Sequence, residues 1–311
     1  MAATAPKLTR QRILAAKIET TTGTAISLTG SDAAFNVFDP SMEADIKTHE
    51  RSGQSALSML PPVAGERSGK LKFKTEIVGN GADVTPWWFI FFKACGFVNL
   101  TGGELTPKSG ASDAVTLTMG FYQDGRFKSI VGASGDFTIN AEVGKPIMVD
   151  WEFQGGWVAP SDAALLTPTY PTVQPVAFQG ATVTIGGTAY VLSKVQIKAN
   201  NKIALRKSQA STSGVLSALV VDRKITISVD PEALTLATKD WYADHLAGTT
   251  AAFSMALGSA QYNTTTITAP AIALMSAPKD GDNDGVLTDE LEFLCTRGTA
   301  GGDDELKITQ S

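Results

Sequence analysis

The stretch TPWWFIFFKACGF, residues 85–97, limits what this chain can fold into more than any other. Thr85 can cap a helix, Pro86 suits its first turn, and Gly96 suits the left-handed position past its last turn. A helix over Trp87 to Cys95 would be about 14 Å long at about 1.5 Å per residue. Its apolar side chains would point outward on nearly every side. A membrane does not explain such a helix, because a spanning segment needs about 20 apolar residues. It therefore needs protein on both faces, and the rest of the chain must be arranged to supply it.

Most of that remainder reads as strand. Short alternating or β-branched runs recur, among them RILAAKIET, KLKFKTEI, AVTLTMGFY, IMVDWEFQG, ATVTI, RKITISVD and ELEFLC. Asp124-Gly125 and Gly186-Gly187 have the two-residue form of tight hairpins. Between Gly155 and Gly180, four prolines interrupt the pattern and predict an extended tether. At 311 residues the chain can hold two domains. The expected division is 1–160 and 181–311, joined by a Pro-rich linker at 161–180.

The two sides of the linker read as a weak repeat. KLKFKTEI, PWWFIFFKACG, AVTLTMGFY and IMVDWEFQG are answered by RKITISVD, TKDWYADHLAG, AAFSMAL and LTDELEFLC. Lys70 to Trp88 and Arg223 to Trp241 are both 18 positions. Each half also has a long segment before its matched strand, Pro40 to Gly69 and Asn200 to Asp222. The expected fold is mainly β, with two tandem modules that are each a β-sandwich or half-barrel with one short helix. In the second helix, Trp241, Tyr242, His245 and Leu246 are expected on an apolar face, opposite Asp240 and Asp244.

Signs of catalysis are thin. His49 and His245, the only histidines, sit in no metal-ligand spacing, and the nucleotide-binding glycine patterns fail at Val84, Ile139 and Pro146. DGDNDGVLTDEL places Asp280, Asp282, Asp284 and Gly285 like the start of a calcium loop. Position twelve is Leu291 and no helix follows, so a solvated acidic turn is the preferred reading. No enzyme activity, metal or cofactor is expected. The two cysteines, Cys95 and Cys295, are expected to be buried thiols. A net charge of −5 argues against gripping nucleic acid through its phosphates. The polar opening MAATAPKLTRQR lacks the apolar centre of a secretory signal.

Taken in order, RILAAKIETTTGTA, DGRFKSIVGASGDFTINAEVGKPIMVDWEFQGGW, TLATKDWYADHLAGTT and DGDNDGVLTDELEFLC...DDELKITQS resemble the tail tube, or major tail, proteins of long-tailed bacteriophages. The resemblance implies a structural virion protein that stacks as rings into a hollow tail tube, assembled in the host cytoplasm and involving no membrane. Genomic DNA would pass through without specific binding. Tape measure, tail terminator and distal tail proteins would be its partners. Two modules per chain would make a ring of three copies, with six as the alternative.

On this reading Trp87, Trp88, Phe89, Phe91 and Phe92 divide between the core and a subunit contact, unless a loop of the same chain covers the outer face. Leu57, Met59, Leu60, Val215, Leu216 and Leu219 mark ring-stacking loops that order on stacking. Lys72, Lys74, Glu76, Thr226, Ser228 and Asp230 are the candidates for the bore, with Glu76 or Asp230 compensating the lysines. A two-module binding or adhesion protein on a virion surface, using the 280–285 loop, is the competing class.

Overall fold

The computed structural model describes residues 6–54 and 57–311. Residues 1–5 of the polar opening, and residues 55 and 56 of the Pro40–Gly69 segment, lie outside the described set. The described residues are mainly strand, with 54% strand and 6% helix, and among them are two short α-helices. The first half runs β1 (Arg12–Ile18), β2 (Phe38–Ser52), β3 (Met59–Glu76), α1 (Phe89–Ala94), β4 (Phe97–Leu100), β5 (Glu104–Pro107), β6 (Leu117–Gln123), β7 (Arg126–Glu142) and β8 (Met148–Asp162). The second runs β9 (Thr182–Ile185), β10 (Thr188–Ala189), β11 (Leu192–Lys198), β12 (Lys202–Lys207), β13 (Val215–Asp222), β14 (Thr226–Pro231), α2 (Trp241–Ala247), β15 (Thr250–Leu257), β16 (Thr265–Leu274), β17 (Lys279–Asn283), β18 (Val286–Thr296) and β19 (Lys307–Gln310).

Both halves use one strand order. In the first, antiparallel pairing runs β1-β6-β7-β8-β3-β2. In the second, β9 pairs with β15, β15 with β16, β16 and β17 with β18, β18 with β14, and β14 with β11. Proline and a short irregular run (Met275–Pro278) break in the second half what β7 spans unbroken in the first. Both β2 and β11 carry a bulge, Asp39 and Pro40 against Phe73 in one and Ser193 and Lys194 against Asp230 in the other. The ladders correct one detail of the repeat. Matching by the tryptophans aligns Leu71 with exposed Lys224, whereas matching Phe153 to Phe293 aligns it with Ile227, since Leu71 pairs with Phe153 and Ile227 with Phe293.

The 161–180 segment is no break in the sheet. The C-terminal part of β7 pairs with β11 from Thr138↔Lys198 to Glu142↔Lys194, so a ladder runs from one half into the other. One contiguous buried core likewise draws on both halves. The Pro-rich run is extended, but it is docked on the protein: Leu165 and Leu166 pack beside Ala15, Ala33 and Tyr122, and Phe178 is buried.

That docking settles how α1 is covered. Phe91 packs against Phe73, Trp151 and Phe153 of the sheet, and Phe92 against Phe137 and Trp151. Phe35, just after a 3-10 turn at Gly30–Ala33, stacks on Trp87 and meets Phe91 edge-on. Pro171, Val173, Gln174 and Pro175 then face Trp87 across a small cleft. Trp88, Phe89, Phe91 and Phe92 are 0–3% exposed within the single chain, so their burial needs no neighbour. The expectation of a shared aromatic face narrows to Trp87, which is half-buried.

Helix α2 also departs from its helical-wheel reading. Asp240 caps it, accepting from Ala243 N–H at 2.9 Å, and Gly248 closes it at φ +63°. Trp241 is buried, but Tyr242 and Leu246 are exposed, and Asp244 and His245 turn partly inward. Lys239 explains this: it pairs with Asp244 and lies 4.4 Å over the Trp241 ring, holding the polar side of the helix down.

Candidate functional site

Alternation along β3, β8, β7, β11, β14 and β18 gives their sheet one apolar face and one polar face. Leu71, Phe73, Trp151, Phe153, Phe137, Ile139, Val195, Ile197, Ile227, Val229, Leu291 and Phe293 fill the core side. The opposite side presents Lys70, Lys72 and Lys74 on β3, Asp150 and Glu152 on β8, and Asp136, Thr138, Asn140 and Glu142 on β7. It continues with Lys194, Gln196 and Lys198 on β11, Ser228 on β14, and Glu290 and Glu292 on β18. Register carries the polar rows across every junction: Lys72↔Glu152↔Asp136 is one row, and Asn140↔Gln196↔Ser228↔Glu292 another. The face thus spans both halves and has shallow concavities of about 490 Å³ and 300 Å³.

The lysines of β3 and Lys194 of β11 are paired in place. Glu152 receives Lys72 at 3.0 Å and Lys70 at 3.7 Å, Asp150 receives Lys74 at 3.5 Å, and Glu290 receives Lys194 at 3.7 Å. Asn140 donates to Asp150 at 2.8 Å and accepts from Gln196 at 2.7 Å, stitching the two halves together. Burial pushes the Asp136 carboxyl above its usual range, against the backbone N–H groups of Asn201 and Phe137 and with help from Glu152. With carboxylates and lysines alternating, no lysine cluster is left uncompensated on this side.

The sequence-derived bore candidates fall on this sheet with different fates. Lys72, Lys74 and Ser228 sit on the polar face with open surface. Thr226 and Asp230 share that side but are buried: Thr226 takes a hydrogen bond from Asn200, and Asp230 accepts from Ser193 and from the N–H groups of Ser193 and Lys194. Glu76, at the end of β3, lines the cleft beside Trp87, where burial raises its carboxyl. The compensating carboxylates are therefore Asp150 and Glu152 rather than Glu76 and Asp230. The pattern VDWEFQG held them in view, since Asp150 and Glu152 alternate with buried Val149, Trp151 and Phe153.

A second feature is the arm. The Pro40–Gly69 segment is largely strand: beyond Ser68, where β3 leaves β8, β2 and β3 continue together as a two-stranded hairpin pairing as far as Ser52↔Met59. Leu57, Met59 and Leu60 are exposed on it, as are Ile46 and Val63. Pro61 and Pro62 have no N–H to offer and sit outside the paired positions. The matching Asn200–Asp222 segment forms the β12–β13 hairpin but folds back onto β7 and β8. Val215 is buried there, and Leu216 and Leu219 are half-buried, so these three residues are packing rather than a free tip. The hairpin braces the arm's root: Arg67 N–H donates to Ser213 O at 2.8 Å, the Arg67 guanidinium reaches Thr212 O, and Lys207 pairs with Glu66 at 2.6 Å.

Asp280, Asp282 and Asp284 belong to the β17–β18 hairpin, turned by Asp284 at φ +52° and Gly285 at φ +88°. An extended strand spreads alternate carboxylates instead of wrapping them round an ion, and no cluster of three metal-ligating side chains occurs among the described residues. A family model described as phage tail tube protein matches residues 9–295. Among curated proteins, none matches the chain.

Proposed function

Because the chain belongs to the phage tail tube protein family, and is thereby a structural protein of the virion tail, we propose that three copies close into a ring and that rings stack into the tube. The observation that carries this reading is the polar face shared by both halves. A single chain already joins two copies of one strand order edge to edge through β7 and β11, which is the junction a ring must repeat. Three chains then give a ring with pseudo-sixfold character.

In that ring the polar face lines the bore. Paired lysines and carboxylates make a wall that a polyanion can slide past, because no excess of cations stands ready to neutralise phosphates. The arm, with Leu57, Met59 and Leu60 exposed, reaches the adjacent ring, and tape measure, terminator and distal tail proteins meet the stack inside and at its ends. The role is structural and requires no catalysis. Native mass spectrometry of rings released from tubes is expected to give three chains; six chains would overturn the stoichiometry.

A further inference from the structure

We propose that neighbouring copies join by antiparallel pairing of the free edge of β17 in one copy with the free edge of β2 in the next, in the register β7 and β11 use inside each chain. The inference rests on the ring reading and adds the seam through which its copies meet. Among the described residues, β17 pairs only with β18, and β2 only with β3. In the shared strand order β17 stands where the C-terminal part of β7 stands, and β2 stands where β11 stands. The one place where both types of edge meet is the β7–β11 ladder. Each chain therefore ends in the two unpaired halves of a junction it already contains, and open edges of this kind pair with further strands.

The correspondence fixes the register. Phe153 and Phe293 are equivalent, each under its helix, with Phe91 of α1 at 5.9 Å and Trp241 of α2 at 6.0 Å. Their ladder partners Leu71 and Ile227 pair onward with Met42 and Ile197. Glu43 thus takes the place of Lys198. On the other side, Asp150 and Glu290 pair with Thr138 and Lys279. Since Lys198 faces Thr138 inside the chain, the seam sets Glu43 of one copy against Lys279 of the next. Opposite charges directly across a ladder favour it, and both side chains are exposed in the single chain. A slip of two residues would set Lys279 against Ser41 or Asp45.

The test uses the full-length chain carrying Glu43→Cys and Lys279→Cys, assembled and then oxidised. Residues directly across an antiparallel pair lie about 4.5–5.5 Å apart at Cα, within the reach of a disulfide. Native Cys95 and Cys295 are buried and do not compete. Thr138→Cys with Lys198→Cys serves as the matched link within one chain. The expected result is efficient covalent linkage between copies in the rings, loss of assembly in Lys279→Glu, and its return when Glu43→Lys is added. Rings that link only when residue 279 is combined with cysteine at 41 or 45 overturn the register. Rings that link in none of these overturn the seam while leaving the ring reading intact, and a parent chain that never associates overturns both.

Discussion

Removing the two carboxylates at the centre of the polar face separates stability from function. In Asp150→Asn with Glu152→Gln, the lost ion pairs are those of Lys70, Lys72 and Lys74, at 3.0–3.7 Å, with side chains 36–59% exposed. Exposed pairs of this kind contribute about 0–1 kcal/mol each, so with three lost the fold should lose no more than about 3 kcal/mol. The asparagine keeps an acceptor for Asn140, which donates to Asp150 at 2.8 Å in the parent. The electrostatic change is larger: each chain gains two positive charges on one face, and a three-chain ring gains six. Each neutralised phosphate adds about −0.9 to the slope of log K against log salt, which caps the slope at about −5 per ring. Parent tubes are expected to show no retention of duplex DNA at physiological salt, and variant tubes a salt-sensitive retention. The assay is DNA binding to intact tubes across a salt series, with thermal unfolding in parallel. Variant tubes that stay intact yet bind no DNA would refute the placement of this face on the bore, as would parent tubes that bind tightly.

Further expectations concern the core, the arm and the acid limit. Phe91→Ala, at a fully buried site, should cost about 3–5 kcal/mol in denaturant unfolding. Thr75→Val should cost about 1–3 kcal/mol, because the buried Trp151 Nε1–H loses its acceptor at 2.8 Å. Replacing Leu57, Met59 and Leu60 by serine should leave folded rings that no longer polymerise, as read by sedimentation, and normal tubes would count against the arm. Asp303 is pushed up by burial, but hydrogen bonds from Ser109 and Arg223 outweigh that and hold its carboxyl below the usual range. Its contribution is therefore present above the unfolded carboxylate pKa and lost as pH falls through the lower folded value, so Asp303→Asn should flatten the acid limb of the stability profile. Burial also pushes Cys295 up to about 12 and raises Cys95. Both thiols should resist alkylation until the protein unfolds.

Much of this was legible in the sequence because it depends on local rules. Period-two alternation in KLKFKTEI and IMVDWEFQG marked β3 and β8, and Asp124-Gly125 and Gly186-Gly187 turn as hairpins with positive φ at all four residues. The repeat was visible in element order but not in register, because spacing between tryptophans counts loop residues whereas register is set by which side chains share a face. What sequence could not show was long-range contact. Nothing local in Pro171–Pro175 says that it lies over Trp87, and nothing in Val215, Leu216 and Leu219 says that their hairpin folds back while its counterpart projects. Thr226 and Asp230 alternate like bore residues, yet Asn200 and Ser193 cover them. Asp284-Gly285 carried a hairpin signal that the spacing of the aspartates obscured.

The central claim is that two copies of one strand order per chain make a three-chain ring with the shared polar face inward. A cryo-EM reconstruction of the assembled protein tests it most directly. The expected map has three copies per ring, with Lys72, Asp150, Glu152, Gln196 and Glu292 on the bore and Leu57, Met59 and Leu60 against the adjacent ring. Six copies per ring, or a reconstruction with this polar face on the outside of the tube, would contradict it.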